Sequence, residues 1–213
     1  MEKTDKDASC LTAALSPGSE IISVVKHGKT NWSSGLRVDT KVDGYEKTYF
    51  VKIIEQEEFV AMAEAEFEGQ KTVAAIIPDN AVEPIAWGYY EVDKTKPWFL
   101  THFRHLQAQP PPLQTLLSTV KRLHQQSHSP TGKFRFHITS YYGPPPMIVD
   151  WTDDWRKLAE LANKFIDKVV PRLLRPLQTG GRSIKPTLCH GDLWDGNIQI
   201  DAHIKLANNS SVC

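Results

Sequence analysis

Cysteine is scarce in this chain of 213 residues: Cys10, Cys189 and Cys213 are odd in number and widely scattered. Such a set argues against a disulfide framework and against a cysteine-based zinc cluster. A charge surplus is missing too, since 25 basic groups stand against 25 acidic ones. Neutrality removes the electrostatic reason to propose a nucleic acid or an acidic membrane surface as partner. No apolar run approaches the ~20 residues that a membrane helix needs. Residues 1–9 are charged and have no apolar signal core, so nothing directs secretion. The acceptor-like triplets Asn31-Trp-Ser33 and Asn208-Asn-Ser210 then read as chance matches. Internal repeats are absent, and low complexity is confined to two proline triplets, 110–112 and 144–146. A cytoplasmic, monomeric protein is expected. With 40% hydrophobic residues, the chain suffices for one sizeable core or two small lobes.

Neither common phosphate-loop motif occurs, whether G-x-x-x-x-G-K-[ST] or G-x-G-x-x-G. What is present is Leu188-Cys-His-Gly-Asp-Leu-Trp-Asp-Gly-Asn-Ile198. Leu188 and Cys189 read as the end of a short strand, His190-Gly191-Asp192 as a turn, and Gly196-Asn197 as a bend before Ile198 and Ile200. An Asp and an Asn five positions apart on such a loop suit phosphoryl transfer. The Asp192 carboxylate would orient or accept a substrate hydroxyl proton, and the Asn197 amide oxygen would bind Mg²⁺ beside nucleotide phosphates. The pattern is the kinase H-x-D-x-x-x-x-N loop, with Gly191 where protein kinases usually carry Arg. A Gly/Asp/Asn-rich connection without chemistry is the plain alternative.

Upstream, the pattern predicts an antiparallel meander followed by a helix. Residues 21–25 are β-rich, 27–31 form a turn, 36–42 alternate, Asp43-Gly44 signals a hairpin, and 48–54 return. Lys52 sits inside that last strand. Strand lysines usually point to solvent, yet a third-strand lysine followed by an acidic helix also serves kinase-like folds as a phosphate clamp. In the helix expected over 57–75, Phe59, Met62, Ala63 and Glu66 share the inward face, which favours a Lys52–Glu66 ion pair. The turn His27-Gly-Lys-Thr-Asn-Trp-Ser-Ser-Gly35 lies where a phosphate-covering loop belongs, and Thr30 and Asn31 could offer groups to phosphates. An ordinary hairpin tip explains it equally. Further strands are expected over 85–90 and 98–103, the latter running into a nucleotide hinge. Helices are expected over Leu113–Gln126 and residues 155–170. His124 and His128 have a metal-like spacing but no third ligand. Trp151 and Trp155 suit either sugar stacking or mutual packing.

His190-Gly-Asp-Leu-Trp-Asp-Gly-Asn197 resembles the H-G-D-L-W-x-G-N signature of the fructosamine (ketosamine) 3-kinase family, which is related to aminoglycoside and choline phosphotransferases. The run Pro171-Arg-Leu-Leu-Arg-Pro-Leu-Gln-Thr-Gly-Gly-Arg-Ser-Ile-Lys-Pro186 is similar to the fungal protein-ribulosamine 3-kinases. The segment from Thr131 resembles the family's T-G-K-F-G-F-H, with Arg135 in place of the second Gly. The resemblance implies an α+β, two-lobed protein-kinase-like fold. Residues 1–103 would form a nucleotide-binding lobe and 104–213 a partial catalytic lobe. It also implies ATP and Mg²⁺ as cofactors, and glycated protein lysines or small ketosamines as acceptors. Catalysis would fall to Asp192, cofactor binding to Lys52, Glu66, Asn197, Thr30 and Asn31. Lys52 would clamp phosphate and Glu66 anchor it, with His190 bracing the loop.

A departure follows Asn197. Kinase-like sites need a second metal-binding Asp on a later strand. Asp201 is followed by Ala, as in the family's motif, but comes only four residues after Asn197. It is a secondary metal candidate beside Asn197. The lower-lobe helices are also missing, so the expectation is a truncated or altered C-terminus. Three readings stay open: a ketosamine 3-kinase, an inactive nucleotide- or partner-binding remnant, and a small-molecule phosphotransferase. Leu193-Trp194 speaks against the last.

Overall fold

The computed structural model describes residues 11–90, 93–141, 146–147, 150–154, 172–173, 175–202 and 211–212. The helix expected over 155–170, and Trp155 with it, lies outside these residues. Strands β1 (Glu20–Lys29), β2 (Ser33–Val42), β3 (Tyr45–Ile54), β4 (Pro84–Tyr89) and β5 (Pro97–His102) form one antiparallel sheet, ordered β1-β2-β3-β5-β4. Helix α1 (Met62–Ile76) packs against it, and α2 (Leu113–Gln126) follows. The architecture is α+β. Contacts divide the chain into two compact units, residues 1–119 with 192–213, and residues 120–191.

The period-two pattern decides which face of the sheet becomes core. Leu36 pairs with Val51, and Val51 with Leu100, across three strands. Val51 and Leu100 are fully buried there. Leu11 and Leu15, from a single helical turn ahead of β1, join the same cluster. Burying each such side chain stabilises by about 1.5–3 kcal/mol relative to exposure. The row one residue along, Gly35–Lys52–Phe99, falls on the opposite face because strand side chains alternate. Lys52 is therefore aimed away from the apolar cluster by register alone.

The β2–β3 hairpin forms as expected, with Asp43 at φ 50° and Gly44 at φ 85° supplying the left-handed pair that a tight turn demands. Asp39 braces three strands. Its carboxylate accepts from Ser23 Oγ (2.7 Å) on β1, Thr48 Oγ1 (2.9 Å) on β3 and Arg37 Nε (3.0 Å).

Two expectations need correction. Residues 27–29 belong to β1, not to a turn: the β1–β2 register shifts between Lys26 and Lys29, where Gly28 takes φ 82°. The bulge there lets the chain continue in the strand, and only residues 30–32 turn. The helix expected over 57–75 is broken into a 3₁₀ turn, Glu57–Phe59, and α1. Phe67 is its buried anchor, with its ring 6.4 Å from that of Trp87 on β4.

In the residues 1–119 and 192–213 unit, a second small sheet joins β6 (Leu106–Gln107), β9 (Ile198–Asp201) and β10 (Ser211–Val212), ordered β10-β9-β6. The other unit contains the pair β7 (Ser140–Tyr141) and β8 (Pro146–Met147), a Phe134–Thr152 bridge and a Lys133–Asp153 ion pair at 3.4 Å. Arg135, standing where the family segment has glycine, has φ 157°. The strand expected at Leu188 and Cys189 does not form. Residues 182–190 have no regular structure, and the Leu188 N–H donates to the Ser127 hydroxyl (3.0 Å) rather than to a neighbouring strand.

Candidate nucleotide and phosphoryl-transfer site

Lys52 and Glu66 meet as the helix-face argument expects. Lys52 Nζ donates to Glu66 Oε1 at 2.5 Å, with side-chain exposures of 21% and 37%. The ammonium also lies 5.6 Å from the centre of the Phe99 ring, its neighbour in the cross-strand row. Part-exposed ion pairs contribute only about 0–1 kcal/mol to stability. The value of this one is positional: the carboxylate and the ring fix a cation at one point on the sheet face. Phe99 is a neighbour of Lys52 that periodicity could have found, since β5 alternates beside β3.

The turn preceding β2 is tightly self-bonded. Thr30 Oγ1 lies 2.9 Å from Ser33 Oγ and accepts from the Ser33 N–H at 3.0 Å, while the Thr30 N–H donates to Ser33 O at 2.8 Å. The Thr30 hydroxyl is thus engaged within its own turn. Asn31 offers its carbonyl to Gln56 Nε2 at 2.8 Å. Gly35, opposite the β1 bulge, is required by contact. A Cβ there would lie 2.1 Å from His27 O and 2.7 Å from the Phe50 ring.

Asp192 and Asn197 are also brought together. Asn197 Nδ2 donates to Asp192 Oδ2 (2.9 Å) and to Asp192 O (3.0 Å). The Asn197 N–H closes a turn onto Trp194 O at 2.9 Å. With the amide nitrogen committed to Asp192, the amide oxygen, the end of such a group that can ligate a metal, is not part of that contact. Gly191 holds φ 86°, a conformation that glycine takes readily and an arginine at this place would not. Gly196 lies beneath the Trp194 indole, where a Cβ would fall 2.3 Å from the ring. Leu193 (42% exposed) and Trp194 (56%) leave the loop open to solvent.

Asp201 ends β9 and is only 2% exposed. Its Oδ2 lies 3.5 Å from Arg104 Nη1, just beyond β5, and the Ala202 N–H donates to His105 O at 2.7 Å. The strand leaving the Asp192–Asn197 loop is thereby tied to the chain that leaves β5. That link depends on residues 97 positions apart and has no local sequence signal.

Among the described residues, no three of His, Cys, Asp and Glu converge as a metal cluster. A sparse protein donor set suits Mg²⁺, which keeps several waters and takes phosphate oxygens as ligands. Asn197, through its amide oxygen, fits as one such donor. No helix among the described residues is long and apolar enough to cross a membrane.

A sheet-mounted Lys–Glu pair and a loop Asp–Asn pair are the parts from which kinases are made. The profile of the fructosamine kinase family, described as "Fructosamine kinase", matches residues 23–160, which is more than half of the chain. The chain belongs to this family of phosphotransferases. Among curated proteins it is similar to the chloroplastic protein-ribulosamine 3-kinase of Oryza sativa subsp. japonica, 28% identical over 100 aligned positions that cover 39% of this chain and 29% of that protein. The subsp. indica protein of the same name is 29% identical over 98 positions, covering 38% of this chain and 28% of that protein. The chain therefore spans under a third of the length of these curated relatives. The matched family segment contains Lys52 and Glu66 and ends before Asp192 and Asn197.

Proposed function

We propose that this chain is an ATP-dependent ketosamine 3-kinase, acting on ribulosamine or fructosamine attached to protein lysines or small amines. The observation that carries the reading is the Lys52–Glu66 pair, set on the sheet face inside the segment matched by the fructosamine kinase family. The names of the two similar curated proteins support ribulosamine as acceptor.

In this reading the strands to β5 belong to a nucleotide lobe, residues 1–103, and the remainder to a catalytic lobe. Lys52 holds the α- and β-phosphates, and Glu66 keeps its ammonium in place. Asp192 orients the sugar 3-hydroxyl and accepts its proton as the oxygen attacks the γ-phosphorus. The new O–P bond forms, the bond from the γ-phosphorus to the β,γ-bridging oxygen breaks, and ADP leaves with the electron pair. Asn197 holds Asp192 through its amide nitrogen and presents its amide oxygen to Mg²⁺. When bound, the ion would neutralise phosphate charge, which is the largest catalytic term in such transfers. The phosphorylated adduct is then unstable and is shed, so the activity amounts to removal of glycation.

The test is phosphoryl transfer from MgATP to a ribulosamine-modified lysine peptide, with Asp192→Ala as the comparison. Positioned acid–base groups contribute roughly 10²- to 10⁴-fold, so the variant should lose at least about 10²-fold with its melting temperature kept. Turnover retained in Asp192→Ala overturns the mechanism. Transfer to choline or an aminoglycoside, but not to the peptide, would move the substrate to a small amine-bearing alcohol.

One observation favours a second reading. Asp201, the acidic candidate nearest after Asn197, is buried against Arg104. A chain that binds MgATP without transferring phosphate would fit that engagement, and Asp201 would then brace β9 rather than ligate metal. Binding without turnover from folded protein decides for it.

A further inference from the structure

We infer that Trp32 is a positioning residue that latches the β1–β2 tip over the site and so sets affinity for nucleotide phosphates. The inference rests on the kinase reading above, and on the expectation from the sequence that this turn lies where a phosphate-covering loop belongs. Three contacts of different kind join residues 31–32 to the short segment between β3 and α1. The Trp32 ring stacks on Phe59, with centroids 5.6 Å apart and planes at 25°. Gln56 Nε2 donates to Asn31 O (2.8 Å), and the Glu55 N–H donates to Trp32 O (2.9 Å). That segment starts three residues after Lys52 and ends before the helix that carries Glu66. Whatever holds the tip therefore also bears on the chain that separates the clamp from its anchor.

Plain packing is an incomplete account of Trp32. The residue stays 39% exposed, so burial alone stabilises little. The turn is already closed internally by Thr30 and Ser33. What the stack adds is direction: it leans a self-contained turn toward the β3–α1 segment. Ordering the tip in advance removes an entropic cost that a phosphate ligand would otherwise meet on binding.

Calorimetric titration of the full chain with MgATP and, separately, with adenosine tests this. An aromatic pair is worth about 0.5–1.5 kcal/mol, which is roughly 2- to 13-fold in a dissociation constant. Trp32→Ala should weaken MgATP within that range and leave adenosine unchanged, because the tip covers phosphates and not the base. Trp32→Phe, which restores a stacking ring, should recover MgATP affinity. Equal weakening of both ligands, or none of either, overturns the latch. Lys52→Ala separates the two levels of the argument. If Lys52→Ala loses MgATP while Trp32→Ala does not, the site reading stands and the latch fails. If Lys52→Ala binds MgATP as well as the parent, both fail. A nucleotide-free readout is amide hydrogen exchange: Trp32→Ala should speed residues 30–33 and leave residues 49–53 unchanged, and unchanged exchange at 30–33 overturns the inference.

Discussion

Lys52 and Glu66 are fourteen positions apart and meet across a strand and a helix, whereas Asp192 and Asn197 are five apart and meet within one loop. The first pair inherits its geometry from the Leu36–Val51–Leu100 row on the other face of the same strands. The second is held by bonds made inside the loop and by Gly191 at φ 86°. One of the two candidate pairs is thus a property of the sheet, and the other a property of eight consecutive residues. Damage to the core should dissolve the first and spare the second. Damage to a turn should do the reverse.

The largest effect expected is from Leu100→Ala. Removing a fully buried leucine from the central row should cost about 2–5 kcal/mol, read from urea unfolding. Exchange at residues 49–53 should rise sharply, and equal protection in the variant would break the comparison. Next comes Gly35→Ala. The new Cβ would meet the His27 backbone oxygen, which cannot swing away as a side-chain tip can, so a loss of about 1–3 kcal/mol in thermal melts is expected.

A smaller, pH-dependent effect belongs to Asp39. Burial alone would raise its carboxyl, but hydrogen bonds from Ser23, Thr48 and Arg37, with the Arg37 charge, outweigh it and hold the group below its ordinary 3.8. A carboxyl lowered by folding stabilises fully above the unfolded value, and the benefit is lost as pH falls through the folded one. Asp39→Asn should therefore flatten the decline in urea midpoint below about pH 4. An unchanged acid limb would show that the brace carries no such linkage.

The smallest effect expected is from Gly196→Ala. Its Cβ would strike the Trp194 ring, but Trp194 is 56% exposed and its ring is a side chain at the surface rather than backbone. Global stability should stay within about 0.5 kcal/mol while the tryptophan emission shifts. A large destabilisation would mean that the loop is not a local structure after all.

The same contrast explains what could be read before folding. Asp43-Gly44, the extent of α2 and the Lys52–Glu66 meeting follow from short periods and turn chemistry, and each is found where these put it. Helical spacing also puts Leu113 and Leu117 in the core beside Leu123, but they are 65% and 52% exposed. The extension of β1 through Lys29 was not legible, because its bulge is fixed by Gly35 on another strand. The apolar character of residues 188–189 suggests a strand but says nothing of whether a partner strand lies beside them, and Leu188 bonds to Ser127 instead. The Thr30 hydroxyl looked available because only three-dimensional closure of the turn engages it. Arg104 and Asp201 are single charges far apart in the chain, with no pattern to join them.

The pairing of Leu106 with Asp201 also imposes an order on how the molecule comes into being. A ribosome adds roughly 5–20 residues each second, so the 95 positions between the partners take about 5–20 s. The five-stranded sheet, complete at His102, is made well before β9 emerges. The nascent chain thus completes the sheet that carries Lys52 first, and β6 waits with an open edge for the strand that brings in the Asp192 loop. That interval is when a chaperone or a second nascent copy would find an unpaired strand to bind.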